Sequence, residues 1–370
     1  MNKYTTRFFL FFLFFSTLAT INYFGLKRQE GKTMTAINNE SIRVSKLFLK
    51  TKLLCFGRYA IEVPKETDLI IGSSIIDVEK YNFENLQSKV KYDIEKILFE
   101  DDTAEITHNK EGPIENSWQI RYYDSKFSKV DKFLFFRTFI NKGDYTFIIS
   151  DAVSKGKTES EISDHHIFSA KNIRSRGLEE IPSDPGLCLE HGFFAERLYK
   201  EQEIDNAGLY LPSFPDVTFS ISSNKDAYGD YPPAQFETEM RKELSLLNRI
   251  QGAKDIQGSS YPKRTLLREG KRAVQHWKGE ESLIRRTDGV HDFEWALVGK
   301  PRDIANPSVL EVKMYTKVAH NMVGAAETAS LTDEEAIALW DKLLSGLKFR
   351  VKVPGAPPGS YYIDPDKSAQ

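Results

Sequence analysis

The residues best placed by type and spacing to do chemistry are His291-Asp292-Phe293-Glu294-Trp295. In a strand, alternation puts His291, Phe293 and Trp295 on one face and Asp292 with Glu294 on the other, where two carboxylates facing a cleft could act as an acid/base pair. The plainer reading is an inward aromatic face backed by a solvated acidic one. Glu280-Glu281, followed by Arg285-Arg286, suits cross-strand charge pairing as readily as acid/base work. His165-His166 beside Asp164 come nearest to a metal cluster. Neighbouring histidines on a helix point about 100° apart and do not easily share an ion, so solvated helix surface is the better expectation. No Gly-x-Ser-x-Gly elbow, His-Glu-x-x-His pair or phosphate-cradling glycine loop is present, and neither Gly72-Ser73-Ser74 nor Gly270-Lys271-Arg272 has the right context. No catalytic residue, metal or cofactor is therefore assigned.

The two cysteines, Cys55 and Cys188, are too few for a four-thiolate zinc site or a disulfide scaffold. Each stands near the start of one half in an apolar, strand-like context, which favours buried free thiols over a disulfide. Were they paired, the long loop would contribute roughly 5 kcal/mol in the chain-entropy model. Among the loops, Tyr228, Asp230 and Tyr231 sit in an aromatic and acidic stretch before Pro232-Pro233 and are the candidate partner contacts, with a plain surface turn as the alternative. Residues 317–328 form either a second contact loop or a packed connection.

The elements that must position these residues emerge from pattern. At 370 residues with 40% hydrophobic and 28% charged residues, the chain can fold and is long enough for two domains. A formal net charge of −2 removes the field that would gather nucleic acid. Lys3 and Arg7 precede the eight-residue Phe/Leu run from Phe8 to Phe15, and Lys27-Arg28 close the apolar stretch. Residues 1–28 read as an export signal or membrane anchor. The weak small-residue site Thr17-Leu18-Ala19 and a length near the roughly 20 residues that span a bilayer favour an uncleaved anchor. Residues 29–50 read as a tether. The folded chain beyond residue 50 is expected in the periplasm, with the inner membrane as a partner if the anchor is kept.

Strand signals run over 53–63, 69–78, 118–123, 130–140 and 145–149, with a hairpin turn at Asn141-Lys142-Gly143-Asp144. Helical spacing marks Leu86, Val90, Ile94, Ile97 and Leu98, and Thr158-x-x-Glu161 opens a helix through about Ala170. Residues 174–185 read as a linker. The second half repeats strand, helix, strand meander, helix: strand-like 209–222, a helix on Phe236, Met240, Leu244, Leu247 and Ile250, strands near 263–267, 272–277, 282–286, 293–298 and 309–316, and a capped helix from Thr332 through Leu344. The expected fold is α+β: two similar domains, 51–180 and 181–358, each an antiparallel sheet with helices packed on one face, and a tail over 359–370. An ancient duplication is one explanation; the general sameness of α+β units is the other.

Several blocks in order carry a resemblance: Cys55-Phe56-Gly57-Arg58-Tyr59, Gly192-Phe193-Phe194, Ala207-Gly208 with Leu211-Pro212-Ser213 and Pro215-Asp216-Val217-Thr218-Phe219, Gly270-Lys271-Arg272, Gly279-Glu280-Glu281, Phe293-x-Trp295 and Pro354-Gly355-Ala356. Over about residues 50 to 358 the chain resembles the bacterial type VI secretion immunity proteins that neutralise the fourth class of lipase effectors. The resemblance implies two α+β domains that clamp one phospholipase effector in the periplasm and block its active site, a non-enzymatic role with a cognate lipase as one-to-one partner. An exported hydrolase or lipid-modifying enzyme, using Asp292 or Glu294, and a structural envelope component are the alternatives.

Overall fold

The computed structural model describes residues 42–153, 156–196, 202–317 and 328–364. The expected signal or anchor over 1–28 lies outside these residues, as do most of the tether and residues 318–327 of the second candidate loop. Among the described residues no helix is long and apolar enough to cross a membrane.

The chain enters through α1 (Ile42–Leu47) and a hairpin of β1 (Thr51–Phe56) and β2 (Tyr59–Pro64). The sequence reads as one strand here, but Gly57 turns it. Gly57 has φ +48°, and a Cβ there would lie 2.1 Å from the Asp205 carboxyl carbon, so both backbone and packing require glycine. β3 (Asp68–Ser74) and β4 (Ile76–Glu79) likewise divide one strand signal, and they enter different sheets.

β4 begins an antiparallel five-stranded sheet with β5 (Glu105–Glu111), β6 (Ser117–Tyr123), β7 (Phe135–Lys142) and β8 (Tyr145–Ala152), in the order β4-β8-β7-β6-β5. Before β5 comes α2 (Phe83–Glu100), whose Leu86, Val90 and Ile97 pack on Ile120, Phe139 and Ile148. The start of the 130–140 signal is the short α3 (Lys126–Val130), capped by Ser125, rather than strand. α4 (Glu159–Asn172), opened by the Thr158/Glu161 capping box, lies on the other face of this sheet, where its His166 meets Phe136 and Thr138. The helices therefore take one face each rather than sharing one. The reason is in β7, where Phe136, Phe139 and Ile140 are all buried, so both faces of the strand need cover.

The stretch expected to be a linker is ordered. β9 (Ile173–Ser175), β10 (Leu187–Leu189) and β11 (Gly192–Phe194) form a small antiparallel sheet in the order β10-β11-β9. Then β12 (Ile204–Tyr210) and β13 (Thr218–Asn224) begin the largest sheet. The expected single helix from Phe236 to Ile250 is broken: a π turn, Phe236–Met240, is followed by Arg241–Glu243 and then, after Ser245, by α5 (Leu246–Gln257). β14 (Arg264–Val274), β15 (Trp277–Arg286), β16 (His291–Leu297) and β17 (Val309–Tyr315) complete an antiparallel seven-stranded sheet in the order β14-β15-β16-β17-β13-β12-β3.

One face of this sheet carries Phe219, Ile221, Leu283, Phe293, Trp295, Val312 and Met314 against α6 (Asp333–Ser345), whose Ala336, Leu339, Trp340, Leu343 and Leu344 are the buried stripe its spacing predicts. Over the same core lies the sheet β1-β2-β18-β19, made with β18 (Leu347–Val351) and β19 (Tyr361–Ile363). On the opposite face α5 lies across β15 and β16, with Arg249 on Glu294 and Glu311. Along the chain the expected division falls at 180/181. In space β1 to β3 pair within the sheets of the second half, β2 with β18 and β3 with β12.

Candidate partner-binding surface

The junction between the halves is built from groups whose pairing sequence reasoning missed. Cys55 and Cys188 are joined by a disulfide with Cα atoms 5.9 Å apart, which corrects the expectation of free thiols. The cause is the bridge beside them: Gly57 N–H donates to Cys188 O at 2.8 Å and Cys188 N–H to Gly57 O at 2.7 Å, so the two strands already run side by side. Buried Arg58 makes a two-pronged pair with Glu203, at 2.9 and 2.7 Å, and also donates to Glu196 O at 3.0 Å. Burial raises the Glu203 and Glu196 carboxyls, with Arg58 opposing the shift in both. Asp205, beside them, is pushed up to about 7 by burial, the Glu203 charge adding to the effect and Arg58 opposing it.

Two further buried arginines are enclosed by carbonyls of the supposed linker and of the β10–β11 hairpin that follows it. Arg176 donates to the carbonyls of Gly177, Leu178, Glu180, Leu189 and Gly192. Arg350, from β18, donates to those of Pro182, Asp184 and Gly186. The only signal in the sequence is an arginine in the middle of an apolar strand, Leu347-Lys348-Phe349-Arg350-Val351, which demands buried acceptors without naming them.

The candidate loop comes after β13. Lys225 N–H donates to Glu203 O, and Ser308 Oγ donates to Lys225 O at 2.8 Å, which anchors the loop's root. The Asp226 carboxylate accepts from Arg302 N–H at 2.8 Å. Tyr228 is not a free contact: it is half-buried, stacks on Phe236 with ring centroids 5.7 Å apart, and burial raises its hydroxyl. Asp230 and Tyr231 are exposed at the tip, Tyr231 with 36% of its surface open. The loop stands beside the part of the seven-stranded sheet that α5 leaves bare. There a shallow depression of about 400 Å3 runs over Ile70, Gly208, Ser220, Ser222, Glu311 and Lys313. Small side chains keep that floor flat, and Ile70 is 54% exposed. The other candidate segment begins and ends at one carboxylate, as Asp216 accepts from Lys317 N–H at 3.1 Å and Ser330 N–H at 3.0 Å.

Most of the acids near His291 and Glu280 are engaged in hydrogen bonds and ion pairs. His291, Phe293 and Trp295 face the core, as the aromatic reading expects, with His291 bonded to Thr316 and Asp333. Glu294 lies outside in a charge network with Arg249, Lys313 and Glu311, and burial raises both it and Asp292. Glu280 and Glu281 face opposite sides: Glu280 accepts Leu247 N–H at the start of α5, while Glu281 pairs with Arg268 and Arg272 across the strands. His165 and His166 depart from expectation. His166 is fully buried rather than solvated, and both rings reach one carboxylate, Asp151 on β8.

The sequence matches two family models that abut: the Tle cognate immunity protein 4 N-terminal domain over residues 52–179 and its C-terminal domain over residues 180–352. The chain belongs to this family, one of immunity proteins rather than enzymes. Among solved structures, it is similar to the apo immunity protein TplEi of the type VI secretion system of Pseudomonas aeruginosa, at 21% identity and a TM-score of 0.63, over 81% of this chain and 97% of that one. It is also similar to TplEi complexed with an "L" peptide, at 22% and 0.61, over 82% and 99%. A third similarity is to the crystal structure of a Tle4–Tli4 complex, at 22% and 0.63, over 81% and 97%. A comparison with curated protein sequences gives no match. At these identities the solved structures speak for the fold.

Proposed function

We propose that this protein binds a cognate type VI secreted lipase and inhibits it by occupying the approaches to its active site, with surfaces from both halves. The observation that carries the reading is the unbroken family match from residue 52 to 352, laid on a two-part frame whose halves share strands, a disulfide and caged arginines. The Tle4–Tli4 complex supports a protein partner of this kind. A lipase attacking a bilayer must open and present an apolar groove, so a protein seated across that opening blocks turnover without doing chemistry. The bare sheet face and the Asp230/Tyr231 tip are its candidate contacts. Titration of the full chain against the lipase encoded beside it is expected to give stoichiometric inhibition at nanomolar concentration; absence of binding, or lipolysis by this chain alone, overturns the reading.

We place this activity in the periplasm, with the protein held at the inner membrane. The apolar run from Phe8 to Phe15 and the disulfide, a bond of oxidising compartments, support this. Fractionation of expressing cells should put the protein in the membrane pellet, sensitive to protease added to spheroplasts; a cytosolic fraction would refute the placement.

A further inference from the structure

We infer that Asp151, His165 and His166 form a site for one divalent transition-metal ion of the zinc class, at the seam where α4 lies on β8. Asp151 Oδ2 is 3.0 Å from His165 Nδ1 and 3.3 Å from His166 Nε2, and the three donor atoms all lie within 4.8 Å of one another. Zinc bonds of about 2.0–2.2 Å at tetrahedral angles place donor atoms roughly 3.3–3.5 Å apart, so small side-chain rotations are enough to admit an ion. Adjacent helical positions converge because they offer different nitrogens: the near Nδ1 of His165 and the far Nε2 of His166.

The surroundings are those of an oriented ligand set. The His166 ring is fully buried, and its Nδ1 is 2.7 Å from Thr138 Oγ1, which in turn accepts from Gln119 Nε2 at 2.9 Å. An outer hydroxyl on one ring nitrogen fixes the ring and aims the other, the arrangement typical of metal-binding histidines. That other nitrogen, Nε2, is buried without a hydrogen-bond partner and lies 3.3 Å from Asp151 Oδ2. Asp151 Oδ1 is held by Lys157 Nζ at 3.2 Å, while Oδ2 is hydrogen-bonded to His165 Nδ1 at 3.0 Å, a contact an ion would replace with release of the shared proton. Two imidazoles and one carboxylate oxygen select zinc, cobalt, nickel or copper over magnesium and calcium, which require oxygen-rich shells. Three protein donors leave a fourth position for water, and the partly exposed Asp151 and His165, with 16% and 21% of their side chains open, give the ion a way in. A bound ion would cross-link β8 to α4, so it should stabilise the N-terminal sheet whatever the protein's partner.

The test uses the full chain, without a histidine tag, stripped with chelator and titrated with Co2+. One equivalent should give visible ligand-field absorption of low-coordinate cobalt, displaced by Zn2+ and untouched by excess Mg2+, and Zn2+ should raise the melting temperature. Asp151→Asn and the partly exposed His165→Gln should each weaken ion binding by about tenfold or more, and Thr138→Val, which removes the outer bond to His166 and the acceptor for Gln119 but no ligand, by about tenfold. Their metal-free melting temperatures report folding separately. Cobalt binding no tighter in the parent than in His165→Gln, or absorption that survives both substitutions in folded protein, overturns the site and leaves the triad a hydrogen-bonded cluster.

Discussion

At the scale of single residues, the strongest consequence belongs to Asp205. Its carboxyl, ordinarily near 3.8, is pushed up to about 7 in the folded protein by burial. Below pH 4 both states hold the proton and the group has no effect. As pH rises toward 7 the unfolded chain releases the proton while the folded one keeps it, so stability falls across that window, by as much as about 4 kcal/mol from this group. Asp205→Asn removes the titration while keeping shape. Urea unfolding should find the variant about as stable as the parent near pH 4 and more stable by a few kcal/mol at pH 8; an unchanged difference at the two pH values would exclude the mechanism. None of this was legible in the sequence, where Asp205 is one acid before an alternating strand. Its environment comes from Gly57 and Glu203, and from Arg58, brought to it across the chain. The same holds for Arg176 and Arg350: composition says that a buried arginine needs acceptors, but only the folded path of residues 177–192 supplies them.

At the scale of elements, signals carried by local chemistry read well and breaks set by distant packing did not. Thr158 with Glu161 and Thr332 with Glu335 form the reciprocal capping bonds their spacing predicts, because a capping box is complete within four residues. The turn at Gly57 and the split of β3 from β4 depend on which sheet each piece joins, and the π turn at Phe236 lies where Tyr228 stacks on that ring. The histidine pair escapes the sequence for a related reason: the helical angle separates the two rings, but different ring nitrogens reach one carboxylate on another element. The cap of α6 gives a direct check. Thr332→Ala removes the acceptor for Glu335 N–H, and Asp333, in the same first turn, also holds Arg285 and His291. The loss should be about 1 kcal/mol by denaturant unfolding, within the usual range for a cap. A change below about 0.3 kcal/mol would mean that packing of Trp340 and Leu343 alone fixes the helix start.

At the scale of the whole molecule, the α+β class and the order of blocks along the chain were readable, while the sharing of strands between halves was not, since β-pairing over more than a hundred residues leaves no periodic trace. That sharing bears on how a partner is held. If both halves contact the lipase, affinity depends on their relative placement being fixed before binding, because any freedom at the junction must be frozen on association. The Cys55–Cys188 bond closes a 133-residue separation at that junction, and in the chain-entropy model a loop of this size adds up to roughly 5 kcal/mol of stability. Cys55→Ser with Cys188→Ser should therefore lower the melting temperature. In protein still folded at 25 °C, it should also weaken lipase binding by about tenfold, mainly through faster dissociation. Tyr231→Ala should weaken binding with only a small change in melting temperature, because the residue is over a third exposed and its ring meets that of Tyr228 at the tip, whereas Tyr228→Ala should destabilise first, through loss of its stack on Phe236. Surface-immobilised lipase and the three variants separate these effects. Unaltered dissociation from the double-serine protein would place the whole grip on one half, and an unaltered Tyr231→Ala would move it away from this loop.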